Sequence, residues 1–168
     1  MVRILSFDPA IKNLTYSIVN VNKQDNTISL VSFDMFDIAN GNKVKQCKFN
    51  DLMNNLIMCL KSIDLTEVDC VVIENQPSLK NPAVKSVSVC IYGFFKAKDM
   101  NVSFVSPNSK PKEIKECKTY KERKNKSIEL GFSILCPIDK ERVMKYKKQD
   151  DIMDSILQAV YFVKTFKA

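Results

Sequence analysis

Histidine is missing altogether from the 168 residues, and so is tryptophan. Without an imidazole the chain has no Ser-His-Asp or Cys-His nucleophile system, and histidine-based zinc sites go with them. Glycine is nearly as scarce, with three residues in all, so there is no glycine-rich loop to cradle a nucleotide phosphate and a sugar-kinase-type fold is disfavoured. The six cysteines, Cys47, Cys59, Cys70, Cys90, Cys117 and Cys136, show no C-x-x-C spacing. In mostly apolar surroundings they read as reduced, buried thiols. No apolar run approaches the roughly 20 residues of a membrane helix, and Met1-Val2-Arg3-Ile4 lacks the apolar core of a signal peptide. These absences predict a soluble protein of a reducing, intracellular compartment with no membrane partner. Any chemistry must run on carboxylates, lysines and metal.

What is present is a chain with 45% hydrophobic residues, enough for one good core and hence a single domain over residues 1–168. Its net charge of +7 is carried by one segment. Residues 106–149 hold 13 Lys/Arg against 6 Asp/Glu, which leaves 13 of each sign elsewhere. Such a concentration of cations favours phosphate backbones through counterion release and makes nucleic acid the leading partner; a solvated basic helix is the plain alternative.

Alternation and turn residues predict strands over 2–8, 14–21 and 28–36, an antiparallel meander with a polar turn at 22–26. Leu52, Leu56, Cys59, Leu60 and Ile63 fall at helical spacing, giving a helix over about 48–62. A short buried strand at 70–74 follows. Asn81-Pro82 is a helix-start signature for a helix to about Lys98. A fifth strand covers 102–105 and a last helix runs from near Asp150 to near Phe166. The order predicts an α/β fold: a mixed five-stranded sheet with helices on both faces and functional groups at strand ends.

Four carboxylates stand out in that frame. Asp8 and Glu74 end apolar strands, and Asp151 and Asp154 open the last helix at i and i+3, on one face. A charge at the tip of a buried strand is costly unless something positive neutralises it. Several such carboxylates from distant parts of the chain suggest a hard, oxygen-liganded divalent ion of the kind Mg²⁺ exemplifies. Each has a structural reading too. Asp8 before Pro9 can cap a turn, and Glu74 can pair with a surface lysine. Asp150 and Asp151 can serve as cap and dipole-favoured first-turn acid, which is where Asp150 is kept.

The run Ile4-Leu5-Ser6-Phe7-Asp8-Pro9-Ala10-x-x-Asn13, the run Val71-Val72-Ile73-Glu74-Asn75-Gln76 and the run Asp150-Asp151-Ile152-Met153-Asp154-Ser155 occur in that order. Together they resemble the three acidic motifs of RuvC-type Holliday junction resolvases, members of the ribonuclease H-like superfamily. The resemblance spans essentially the whole chain, and the poxvirus branch is the most similar in size and in its Tyr-Lys-x-x-Lys and Asp-Asp-x-x-Asp segments. Cellular relatives usually carry glycine where Ala10 stands.

The resemblance implies a ribonuclease H-like fold and a metal-dependent endodeoxyribonuclease that resolves four-way DNA junctions by paired symmetric nicks, in viral recombination and concatemer resolution. It implies Asp8, Glu74, Asp151 and Asp154 as holders of two Mg²⁺ ions, for which Mn²⁺ substitutes, with Asp8 bridging. Carboxylate-held metals activate water and stabilise the attacking and leaving oxygens without any histidine. The implied partner is branched DNA with no small-molecule substrate, and the implied setting is the cytoplasm of an infected cell. A nuclease acting on RNA–DNA hybrids or flaps, or a non-catalytic branched-DNA-binding module, are the alternatives.

Two further expectations concern the basic segment and assembly. Thr119-Tyr120-Lys121-Glu122 fits a capping box, and Gly131 would lie just past the end of the helix it starts. Lysines in the first turns oppose the helix dipole, which phosphate contact would explain. By resemblance one is catalytic. Lys121 is preferred, then Lys124, with Lys110 and Lys118 as further DNA contacts. In the 82–98 helix, Ser86, Cys90, Gly93 and Ala97 make a ridge of small side chains, read either as packing on the sheet or, by resemblance, as a homodimer interface.

Overall fold

The computed structural model describes all residues except 23, 25, 26, 78, 80, 108–110 and 166–168. Lys110, part of the expected 22–26 turn and the expected helix end at Phe166 therefore lie outside the described residues.

The sheet consists of β1 (Val2–Asp8), β2 (Leu14–Val21), β3 (Ile28–Phe36), β4 (Cys70–Glu74) and β5 (Asn101–Val105) in the order β3-β2-β1-β4-β5. β1, β2 and β3 pair antiparallel as expected, and β4 and β5 continue parallel to β1. The helices are α1 (Phe49–Lys61), α2 (Pro82–Lys96), α3 (Lys112–Lys115), α4 (Tyr120–Ile134), α5 (Pro137–Met144) and α6 (Gln149–Thr165). Among the described residues no helix is long and apolar enough to cross a membrane.

Strand alternation sorts the side chains into two cores. Leu5, Phe7, Val71 and Ile73 point to the face covered by α1 and α2. Ile4, Val19, Val72 and Cys70 point to the face covered by α6. Asp8 and Glu74 share the parity of Ile4 and Val72, so both belong to the α6 face. The parallel register pairs Ser6 with Val72 and Phe7 with Ile73, which brings the C-terminal tips of β1 and β4 side by side. Ala10 is absent from the described residues with positive φ. The turn after Asp8 therefore makes no demand for the glycine that cellular relatives carry.

Two local expectations are corrected. Gly131 is not past the end of its helix; α4 continues to Ile134 and Gly131 is buried within it. A Cβ built there would stand 2.8 Å from Met153 Cγ and 3.0 Å from Met153 Cβ on α6, and closer still to Sδ. The glycine serves a close helix–helix approach. Asp150 is not a cap either. The helix begins at Gln149, and the Asp150 carboxylate forms an ion pair with Lys124 of α4.

α5 was not foreseen as a separate element. Its buried Asp139 accepts a bond from the Leu30 amide at 3.2 Å, while Arg142 donates to the Leu30 and Val31 carbonyls at 2.8 and 3.2 Å and pairs with Asp139 at 2.9 Å. The β2–β3 register shifts at this point. α5 is thereby fastened to the outer edge of β3.

Candidate active site

At the C-terminal ends of β1 and β4 an open cleft of about 370 Å³ is lined by Asp8, Glu74, Gln76, Ile114, Tyr120, Arg123, Lys124, Ser127, Asp151 and Asp154. The fold thus gathers all four sequence-flagged carboxylates around one space from three separate elements. Asp8 and Glu74 arrive on adjacent parallel strands. Asp151 and Asp154 arrive on one face of α6, which packs against β1, β2 and β4.

Hydrogen bonds position the carboxylates from behind. Gln76 Nε2 donates to Glu74 Oε1 at 3.1 Å. Gln158, one turn beyond Asp154, donates to Ser6 Oγ at 3.0 Å, to the Phe7 carbonyl at 3.1 Å and weakly to the Val72 carbonyl at 3.5 Å. Ser155 donates to the buried Ser17 hydroxyl at 3.0 Å. Gln158 therefore links the helix carrying Asp154 to both strands whose tips carry Asp8 and Glu74. Sequence reasoning missed it, although a lone amide four residues after Asp154 in an apolar helix is a visible signal. Gln158→Leu should cost about 1–3 kcal/mol in denaturant unfolding.

Lys124 enters the cleft from the opposite wall. Thr119 and Glu122 complete the expected capping box, with Glu122 N–H to Thr119 Oγ1 at 3.1 Å and Thr119 N–H to Glu122 Oε2 at 3.0 Å. This fixes the start of α4. The stripe Tyr120, Lys124, Ser127 and Gly131 then faces α6, because Ser127 and Gly131 are the small residues that permit close approach. Lys124 Nζ lies 3.4 Å from Asp151 Oδ1, pairs with Asp150 and stands 5.0 Å from the Tyr120 ring centroid. Burial disfavours its charged form, but hydrogen bonding to Tyr120 and the Asp151 charge outweigh that and raise its pKa. It is an ammonium throughout the neutral range. Lys121 and Lys118 are exposed and do not line the cleft.

The cleft's acidic donors are all oxygen, the set a hard divalent cation takes. Among the described residues no three His, Cys, Asp or Glu side chains stand close enough together to hold an ion, and Lys124 holds Asp151 toward α4. The residues fit such a cation in their donor chemistry and shared location, as an open set of ligands rather than a closed cage.

A family model described as Poxvirus A22 protein matches residues 1–165. Among solved structures, the Fowlpox virus resolvase in complex with substrate Holliday junction DNA is 25% identical with a TM-score of 0.69, covering 98% of this chain and 99% of that one. The Fowlpox virus Holliday junction resolvase alone is 23% identical with a TM-score of 0.65, covering 97% and 98%. The T. thermophilus RuvC in complex with Holliday junction substrate is 11% identical with a TM-score of 0.65, covering 98% and 96%. The last two establish the fold, which is the expected ribonuclease H-like one. No curated protein matches.

Proposed function

The chain belongs to the Poxvirus A22 protein family, and from that premise we propose that it is a Holliday junction resolvase, an endodeoxyribonuclease that cuts four-way DNA junctions. The observation that carries the reading is the convergence of Asp8, Glu74, Asp151 and Asp154 on one cleft of a resolvase-like fold.

In this reading the four carboxylates hold divalent metal, Mg²⁺ as two ions with Mn²⁺ able to substitute. When bound, the metal would supply an activated water and stabilise charge on the leaving oxygen. The chain's own groups do the rest. Gln76 and Gln158 hold the carboxylates and their strands in position, as the distances above support. Lys124 offsets the negative charge that gathers at the cleft, and Lys121 and Lys118 on the exposed start of α4 meet the DNA backbone from outside. Lys121, preferred from the sequence, stands outside the cleft, so Lys124 on its wall is the candidate for direct contact with the scissile phosphate.

The protein acts as a homodimer in this proposal, placing two clefts across a two-fold junction for paired nicks. Support comes from α2, where Ser86 and Cys90 are half-buried while Gly93 and Ala97 are exposed with Val89 beside them. A Cβ at Gly93 would meet nothing within 4 Å. The Gly93 and Ala97 end of the ridge therefore faces away from the sheet, while Cys90 still packs against the core beneath it. The proposed setting is the cytoplasm of an infected cell.

The test is cleavage of an end-labelled four-way junction beside linear duplex and RNA–DNA hybrid, with Mg²⁺ and with EDTA. Symmetric paired nicks in the junction alone, abolished by EDTA, are expected. Preferential cutting of the hybrid would move the chain to another ribonuclease H-like activity, and tight binding without cutting would make it a binding module.

A further inference from the structure

The segment between Asp37 and Asp51 contains Lys43, Lys45 and Lys48 and no acid. Its charge is hidden in a sequence-wide count because acids elsewhere cancel it. In the fold it lies at the same end of the sheet as the carboxylates. The row Asp8–Thr15–Met35 is followed by Leu14–Phe36, and the segment leaves β3 directly after Phe36. The Ile38 amide donates to the Ile11 carbonyl at 2.9 Å, which ties it to the turn after Asp8 that carries the exposed Lys12. The four lysines are all exposed. They flank the site on the β3 side, opposite the basic segment that follows β5.

This surface is pre-shaped. The Asp37 carboxylate accepts from the Ala39 and Gly41 amides at 2.9 and 3.0 Å, and Asn55 Nδ2 donates to the Ile38 carbonyl at 2.9 Å. Asn40 and Gly41 adopt positive φ of 49° and 78°, a turn that Asn-Gly tolerates. The same segment and the start of α1 form a polar groove of about 470 Å³ walled largely by the amides Asn40, Asn42, Gln46, Asn54 and Asn55, with Asp51 the one acid on its lining. Lys48 occupies the N-cap position of α1 without a side-chain cap bond, where a residue chosen for stability would be Ser, Thr, Asp or Asn. Exposed lysines on the same segment as a groove of amide side chains offer a surface for phosphates and sugar edges, the groups that position a protein on DNA.

We propose that the β3–α1 segment, with Lys12, is a second DNA-contact surface that holds the backbone of one duplex arm while the carboxylate cleft engages the strand to be cut. The inference rests on the junction-resolvase reading and adds a specific arm contact to it.

The test is binding of a synthetic four-way junction by the full chain in EDTA across a salt series. It compares wild type, the triple variant K43Q/K45Q/K48Q and the distal control K61Q/K96Q/K98Q. All six lysines are exposed or at helix ends, so both variants should fold as wild type. The near triple should weaken junction binding roughly tenfold to a hundredfold at physiological salt and flatten the slope of log affinity against log salt by about 2–3. The distal triple should change neither. An unchanged slope in the near triple, or equal losses in both, overturns the proposal. The two readings fail separately. Wild type that binds junctions without cutting them sinks the nuclease activity while the slopes still decide the loop, and wild type that binds no DNA sinks both.

Discussion

Asp154→Asn should lower junction cleavage by on the order of 10³-fold or more, about 4 kcal/mol of transition-state stabilisation, while leaving junction binding at saturating protein intact. The substitution keeps size and shape but removes the charge. Asp154 stands on α6 one turn before Gln158, whose amide is bonded to β1, so the backbone that carries it is held in place whatever the side chain. The loss should therefore fall on the rate and not on the melting temperature. Single-turnover cleavage beside a thermal melt separates the two. A cleavage rate equal to wild type would remove Asp154 from the catalytic set and, with it, the four-carboxylate account.

The second large effect is expected at an uncharged contact between α4 and α6. Gly131→Val should destabilise the protein by about 1–3 kcal/mol through overpacking, a fall in melting temperature of about 2–12 °C for a chain of this size. Met153, against which the new side chain would press, is fully buried, and a buried side chain has nowhere cheap to go. Pushing α4 outward would also draw Lys124 from Asp151, so activity should fall beyond what the loss of folded protein explains. Met153→Ala in the same chain should restore part of the stability. A coupling between the two substitutions of about 0.5–3 kcal/mol is expected from contacting residues. A double-mutant cycle by denaturant unfolding reads it directly, and a coupling of zero would mean the helices do not touch there as described.

The two substitutions also show what was legible in the chain and what was not. The strands announce themselves because one-residue alternation is a local property, and Asp8 and Glu74 stand out because a charge ending an apolar run is visible without neighbours. The capping box at Thr119 is equally local. Gly131 misleads for the same reason. Read with its neighbours alone it is a helix terminator, whereas its cause is Met153, on another helix. Asp150 looks like a cap until Lys124 arrives from 26 residues away. The choice between Lys121 and Lys124 at the cleft wall depends on how α4 is rotated against α6. The small residues Ser127 and Gly131 set that rotation, and they lie on one stripe with Lys124, so the clue was present but only a tertiary contact gives it meaning. The lysines after β3 were obscured differently, because a net-charge count is blind to cancellation by acids elsewhere on the surface.

The fastening of α5 to β3 bears on how the protein stays dispersed. β3 closes one side of the sheet, and an open strand of that kind offers unpaired amides and carbonyls to any other chain that can present a strand. Here the Leu30 amide and carbonyl and the Val31 carbonyl are already taken by Asp139 and Arg142, and the register shift beside them spoils the regular spacing a docking strand would need. Sheet-to-sheet growth along that border is blocked at its middle. Two copies of this chain would thus not join through that edge into a ladder that could extend into fibres.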